Sequence, residues 1–219
     1  LRLVLFDLDD TLVDLAGAFG RWAVEFVGDH DLPSHAVSWL VAANRRATGP
    51  KDRLFAEIRA HFGLTDPVDR LWGRYRSRIP ELVALRPFVL DGLVGLRAAG
   101  WRLGVVTNGQ PDNQVAKLRR TGLADHVDGW CVSAEVGVRK PDPAIFRSAA
   151  RRCGRPIEDG RIDGWMVGDS AELDVDGGRR AGLATFWISH GRPWPADLTP
   201  PDRVASDTHL AIQALLERR

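Results

Sequence analysis

Lysine is nearly missing from this chain of 219 residues: among 30 lysines and arginines, only Lys51, Lys117 and Lys140 are lysine. Arginine therefore supplies the ordinary solvated positive face, in the way Arg45, Arg46 and Arg53 do, and a lysine beside chemistry-bearing residues stands out. Cysteine is scarce as well. Cys131 and Cys153 lie far apart, match no metal-ligand spacing and form no disulfide framework, so a reduced, cytoplasmic setting is expected. Neither sign of charge is in excess: 30 basic residues meet 29 acidic ones, leaving a net charge of +1. That balance gives no global field for gripping nucleic acid or an anionic membrane, and no block of like charges forms a binding tail. No apolar run is long enough to span a membrane. Leu1–Phe6 lacks the charged region, long apolar stretch and cleavage site of an export signal, and reads instead as a first strand. The six histidines are scattered without metal spacing.

With 44% hydrophobic residues the chain can build a core without staples. Short apolar runs bounded by Gly, Asp or Asn read as strands: Leu3–Phe6, Arg102–Val106, Trp130–Ser133, Trp165–Val167 and Ala184–Ile188. Helical patterns alternate with them at Val89–Ala99, Pro111–Thr121, Asp142–Cys153, Ala171–Ala181 and Thr208–Arg219. Several open on Pro or Asp and stop before Gly. Strand–helix alternation predicts an α/β fold, a parallel, Rossmann-like sheet with helices on both faces. In such sheets ligands bind beyond the carboxyl ends of the strands.

One interval breaks the rhythm. Between the first strand and Val89 the patterns are helical, at about Ala16–Val27, Ser34–Ala47, Asp52–His61 and Pro67–Arg78, and are punctuated by Gly28, Pro33, Gly49-Pro50, Gly63, Pro67 and Pro80. Residues 15–85 are therefore expected to form a small helical domain inserted into a core made of residues 1–14 and 86–219. Trp22, Trp39 and Trp72 are expected to pack its helices, and Trp101, Trp130, Trp165 and Trp187 to pack around the core strands.

The predicted strand ends carry the polar chemistry. The first runs into Asp7-Leu8-Asp9-Asp10-Thr11. Residues two apart in an extended segment share a side, so Asp7 and Asp9 are expected to share a face where the extended form continues to Asp9, as a carboxylate pair that a hard cation would neutralise. The second ends at Thr107-Asn108-Gly109 just before a helix, a cradle for an anion. The third leads to Arg139-Lys140-Pro141-Asp142-Pro143. The fourth ends in Gly168-Asp169-Ser170, followed by Glu172, Asp174 and Asp176. Taken singly, each segment is an ordinary turn, a solvated lysine or an acidic helix start. Taken together they supply acid for a metal, base for phosphate and an oxygen nucleophile, the parts of a phosphoryl-transfer site.

In order and spacing these segments resemble the four motifs of the haloacid dehalogenase (HAD) superfamily, in its phosphatase branch. Asp7-Leu8-Asp9-Asp10-Thr11 matches the first motif, Thr107 the second, Lys140 the third, and Gly168-Asp169 with Asp174 the fourth. The helical insertion resembles that family's small cap. Leu173 departs from the pattern, because many relatives carry Asn before the second acid of the fourth motif, and this bears on the outer bonding around a metal. The resemblance implies a Mg²⁺-dependent phosphatase acting on a small phosphorylated metabolite. Asp7 would be the nucleophile and Asp9 the general acid and base. Asp7, the backbone carbonyl of Asp9, Asp169 and Asp174 would hold Mg²⁺. Thr107, Asn108 and Lys140 would hold phosphate, and the cap would close over the substrate. Asp10, Glu172 and Asp176 are left as supporting or capping residues, and Glu135 as structural. A phosphomutase shares all four motifs and stands as an alternative. A dehalogenase of the same fold would lack the second acid, Asp9. A non-catalytic binding domain is the remaining alternative. A monomer and a homodimer are both compatible with the sequence.

Overall fold

The computed structural model describes residues 2–47, 51–155 and 163–217. The first apolar run forms strand β1 (Arg2–Phe6), with Leu3, Val4, Leu5 and Phe6 all fully buried. A strand covered on both faces needs an unbroken apolar run rather than alternation, as parallel sheets between helices require. Four helices follow: α1 (Leu15–Asp29), α2 (Ala36–Arg46), α3 (Lys51–Phe62) and α4 (Val68–Leu82). They make one compact unit, Leu15–Ala84, and the other comprises Leu1–Asp14 with Leu85–Arg219. Leu85, assigned to the insertion from the sequence, belongs to the second of these units, where it bridges Val13.

The helical unit is organised around Trp22. Its ring lies 5.1 Å from Phe19, 4.8 Å from Phe26, 5.6 Å from Phe55 and 5.1 Å from Tyr75, the last edge-on at 89°. Trp39 stacks on His61 at 3.9 Å. Pro80, expected to break a helix, lies inside α4 and is buried. In the last turn a missing N–H forfeits a single bond, and the backbone closes beyond it through Val83 N–H donating to Ile79 O at 3.1 Å. Gly49-Pro50, read as a break, lies outside the described residues.

In the sheet-bearing unit the chain continues through α5 (Val89–Ala98), β2 (Trp101–Thr107), α6 (Pro111–Arg120), β3 (Gly129–Val132), a one-turn helix α7 (Ser133–Val136), α8 (Pro143–Arg152) and β4 (Trp165–Gly168). A π-helical turn, Ala171–Asp176, runs into α9 (Gly177–Arg180), followed by β5 (Ala184–Ile188), β6 (Arg203–Ala205) and α10 (Thr208–Leu216). The six strands are parallel and ordered β3-β2-β1-β4-β5-β6. Phe6 stands opposite Val105 on one side and Val167 on the other. The chain winds outward from β1 through β2 to β3, then returns to place β4 on the far side of β1. The order therefore reverses between β1 and β4, and a crevice opens beyond their carboxyl ends.

Leu3, Leu5, Val106, Cys131 and Met166 pack against Ile145, Phe146 and Ala149 of α8. Burying one side chain such as Phe146 contributes roughly 1.5–3 kcal/mol. Asp142 caps α8 by accepting from Ala144 N–H at 2.8 Å, with Pro143 in the first turn.

Two expectations need correction, and one element is added. Ser133 opens α7 instead of ending β3. The segment Ala171–Ala181 is a π turn joined to a short α-helix, not one α-helix. The three-residue edge strand β6 was not anticipated; it is anchored by Asp202, which accepts from both Thr185 N–H and Thr185 Oγ1 at 2.8 Å. Arg218 and Arg219, included in the last predicted helix, lie outside the described residues.

Candidate active site

Asp7 directly follows β1, and its backbone N–H donates to Val167 O at 2.9 Å, so its position is fixed by the sheet itself. The residue is almost wholly buried, at 7% exposure. Lys140, delivered by the segment before α8, lies between two acids. Its Nζ donates to Asp7 Oδ1 at 2.5 Å and to Asp174 Oδ1 at 2.7 Å. The backbone of Lys140 is held by Asn108, whose Oδ1 accepts from Lys140 N–H at 2.9 Å and whose Nδ2 donates to Lys140 O at 3.1 Å. Both ends of the Asn108 amide are thus engaged in setting the lysine.

Asp174 reaches the cluster because of the π turn. The Ser170 carbonyl accepts from both Asp174 N–H and Val175 N–H, at 3.1 and 3.2 Å, while Ser170 Oγ accepts from Leu173 N–H at 3.2 Å. This wider turn lets Asp174 Oδ2 swing back to accept from Ser170 N–H at 3.0 Å. Such single π turns inside helices occur frequently at functional sites. Gly168 makes the room: a Cβ there would lie 2.3 Å from Asp174 Oδ2.

Carboxylate oxygens of Asp7, Asp169 and Asp174 lie within 4.8 Å of one another. Burial pushes the Asp7 carboxyl well above the usual carboxylate range; Lys140 opposes this, while Asp174, Asp169 and Asp9 add to it. Asp169 is pushed up to about 7 by burial and by Asp174, against the pull of Arg192. Burial works against the charge of Lys140, but Asp174 and Asp7 outweigh it and hold the ammonium charged. One ammonium set against three carboxylates leaves two negative charges in excess, and the repulsion among the acids adds to the larger effect of burial on both raised carboxyls. An oxygen-only donor set carrying that excess fits a hard divalent cation such as Mg²⁺.

Asp9 is placed differently. Its carboxylate is not part of the three-acid group. It accepts from Lys117 Nζ at 2.7 and 3.0 Å and from Gln114 Nε2 at 3.0 Å, and Gln114 Nε2 also donates to Thr107 Oγ1 at 2.6 Å. Asp10, at φ 57°, turns the chain away; its carbonyl meets His190 Nε2 at 2.7 Å and its carboxylate pairs with Arg86 at 3.3 Å. Asp176 pairs with Arg180, and Glu135 with Arg152 at 3.1 Å.

The structure therefore gathers Asp7, Lys140, Asp169 and Asp174 into one cluster, links Asp9 to Thr107 through Gln114, and sets Asn108 behind Lys140. Sequence reading missed Gln114, Lys117 and Arg192. Arg192 donates to the Asp169 carbonyl at 2.8 Å and to its Oδ2 at 3.0 Å, and Trp187 Nε1 donates to the same carbonyl at 2.9 Å. Nothing in the loop around Arg192 announces this. For Lys117 a signal exists: it is one of three lysines in the chain and lies on α6 three residues after Gln114.

A family model described as haloacid dehalogenase-like hydrolase matches residues 1–182. Over 203 residues the chain is 30% identical to the glyceraldehyde 3-phosphate phosphatase of Pyrococcus abyssi, covering 88% of this chain and 83% of that protein. A shorter match, 43% identical over 106 residues, joins it to the pyrimidine 5'-nucleotidase YjjG of Escherichia coli; it covers 48% of this chain and 46% of that protein, less than half of that relative's length. Among solved structures, the HAD hydrolase YfnB of Bacillus subtilis, bound to magnesium, shares the fold with a TM-score of 0.81 at 24% identity, over 98% of each chain.

Proposed function

We propose that this chain, which belongs to the haloacid dehalogenase-like hydrolase family, hydrolyses the phosphate ester of a small metabolite, with Asp7 as nucleophile and Mg²⁺ as cofactor. The observation that carries the reading is the separation of two neighbouring carboxylates. Asp7 sits buried against Lys140 in a three-acid cluster, while Asp9, two residues on, is turned to Lys117 and Gln114. Two carboxylates in different surroundings suit two different tasks.

In the first half of the reaction an Asp7 carboxylate oxygen attacks phosphorus. The bond from phosphorus to the ester oxygen breaks, and Asp9 gives its proton to the departing alcohol. In the second half Asp9, now a carboxylate, takes a proton from water. The water oxygen attacks phosphorus, and the bond to Asp7 breaks to release inorganic phosphate. Lys140 and Thr107 hold phosphoryl oxygens, with Asn108 fixing the lysine from behind. Asp7, the backbone carbonyl of Asp9, Asp169 and Asp174 would hold Mg²⁺, which supplies positive charge against the carboxylates and the phosphoryl oxygens when bound. A dehalogenase would have no use for an acid at position 9, and here that acid carries three hydrogen bonds of its own. The relatives named as phosphatases of a triose phosphate and of nucleotides fit a small phosphorylated metabolite as substrate.

The test is inorganic phosphate release from p-nitrophenyl phosphate with Mg²⁺ and with EDTA, for the wild type and Asp7→Asn. Loss of the nucleophile lowers kcat by at least about 10³-fold. Full activity in Asp7→Asn, or activity indifferent to EDTA, would sink the reading. A panel of phosphorylated metabolites then identifies the substrate.

A further inference from the structure

Lys117 and Gln114 lie outside all four motifs, yet both are buried and both converge on Asp9. The Lys117 side chain is 3% exposed, and its ammonium sits against a carboxylate that is itself 22% exposed. The direction of each bond is fixed. Lys117 Nζ donates to Gln114 Oε1 at 2.8 Å, which makes that atom the amide oxygen. Gln114 Nε2 is then the end that faces Asp9 Oδ2 and Thr107 Oγ1. The Thr107 hydroxyl accepts this N–H, so its own hydrogen is left to point elsewhere. Gly109 leaves space for the arrangement, since a Cβ there would lie 2.8 Å from Gln114 Cγ.

We infer that Lys117 and Gln114 are positioning residues that hold the Asp9 carboxylate by both oxygens and orient the Thr107 hydroxyl toward the phosphoryl group. One buried ammonium thus orders three groups: it grips Asp9 directly, sets the amide of Gln114, and through that amide turns Thr107 into a donor for phosphate. The inference rests on the reading of Asp9 as acid and base. A carboxylate held at both oxygens has little rotational freedom, and small misplacements of a proton donor are costly in rate.

The experiment measures kcat/KM, which reports steps up to departure of the phenol, for dinitrophenyl, p-nitrophenyl and unsubstituted phenyl phosphate. A well-placed Asp9 matters little when the departing phenolate is a weak base and greatly when it is a strong one. Lys117→Met lowers kcat/KM for phenyl phosphate on the order of 100-fold and for dinitrophenyl phosphate by less than about threefold. In the Asp9→Asn background the same change costs less than about threefold on either substrate: the leaving-group effect passes through Asp9, and what remains is the small uniform loss that passes through Gln114 and Thr107. An equal loss across the series, no loss, or an undiminished loss in the Asp9→Asn background overturns the inference and leaves Lys117 a support of the fold. Should Lys117→Met show no cooperative melting, Gln114→Met carries the same comparison without altering a buried charge. It also raises the inhibition constant of inorganic phosphate through Thr107; an unchanged constant with an unchanged leaving-group slope overturns the inference. If Asp7→Asn remains active, the parent reading has failed. If Asp7→Asn is inactive while the slope in Lys117→Met stays that of wild type, this inference alone has failed.

Discussion

Gly168→Ala adds a single methyl group at the end of β4, and its effect can be worked from the geometry. The new Cβ would lie 2.3 Å from Asp174 Oδ2, 2.4 Å from its Cγ and 2.6 Å from its Cβ. Separations of that size cannot persist, so one of two things gives way. If the backbone yields, the cost is that of overpacking a dense interior, about 1–3 kcal/mol. If Asp174 swings out, it forfeits its bonds to Lys140 and to Ser170 N–H, each a hydrogen bond to a charged group contributing about 1.5–3 kcal/mol. The molecule takes the less costly route, so the expected loss is about 1–3 kcal/mol, a fall in Tm of roughly 2–12 °C for a unit of this size. Either route disturbs one of the three acids of the cluster, so the Mg²⁺-induced rise in Tm shrinks as well. Thermal unfolding followed by circular dichroism, with and without Mg²⁺, measures both effects. A variant that melts within about 1 °C of wild type and keeps its full response to Mg²⁺ would refute the reasoning about Asp174.

The raised carboxyls predict a pH signature. In the metal-free protein Asp169 is pushed up to about 7 and Asp7 is raised in the same direction, so between the ordinary carboxylate range and neutrality the folded state binds more protons than the unfolded one. Their contribution to stability is present at low pH and is lost as pH rises through about 7; metal-free Tm falls from roughly pH 4 to pH 7 while the stabilisation by added Mg²⁺ grows. A Mg²⁺-induced Tm shift independent of pH across that window would contradict it. At the far edge of the sheet, Asp202→Ala leaves the buried Thr185 N–H and hydroxyl without their acceptor. The expected cost is about 1–3 kcal/mol in urea unfolding, with phosphate release from p-nitrophenyl phosphate unchanged because β6 is remote in sheet order from β1.

The strand-end chemistry could be read from sequence because each motif sits at a change of character. A fully buried strand is a continuous apolar run, and the first polar residue after it, Asp7 or Asp169, marks the edge of the crevice. What escaped reading sits where the local signal points the other way. Asn113, Gln114 and Lys117 are polar, yet they occupy the buried face of α6 beside Leu118. A helix with polar residues on its inner face reads from periodicity as unremarkable, and only the strand beneath shows that this face looks onto a site. The π turn escaped for a similar reason: Ala171–Asp176 has helical composition, and its widening depends on a carbonyl shared by Asp174 and Val175. β6 is three residues long after a proline-rich loop and owes its place to Asp202, not to its own propensity. Pro80 shows the limit of a local rule, since a helix tolerates proline in its last turn when the ring is buried.

The scarcity of lysine gains meaning from this placement. Two of the chain's three lysines are buried against aspartates of the first motif, Lys140 against Asp7 and Lys117 against Asp9. Arginine dominates elsewhere, so lysine at these two positions calls for a physical reason. A compact ammonium on a flexible stem can enter a gap between oxygens from several residues and donate in three directions, whereas a planar guanidinium needs a flat, paired acceptor. Lys140 donates to Asp7 and Asp174, and Lys117 to Asp9 and Gln114, arrangements in which the acceptors diverge. On this reasoning Lys→Arg at either position keeps the charge and still fails, because the guanidinium cannot fit between divergent acceptors. The two lysines also divide the aspartates: Lys140 is shared with other acids, in surroundings suited to a metal-held nucleophile, whereas Lys117 offers Asp9 an ammonium that no second carboxylate contests among the described residues. The segment that follows β1 thus presents two identical side chains, and their different environments come from the two elements that deliver a lysine to each, α6 and the segment before α8.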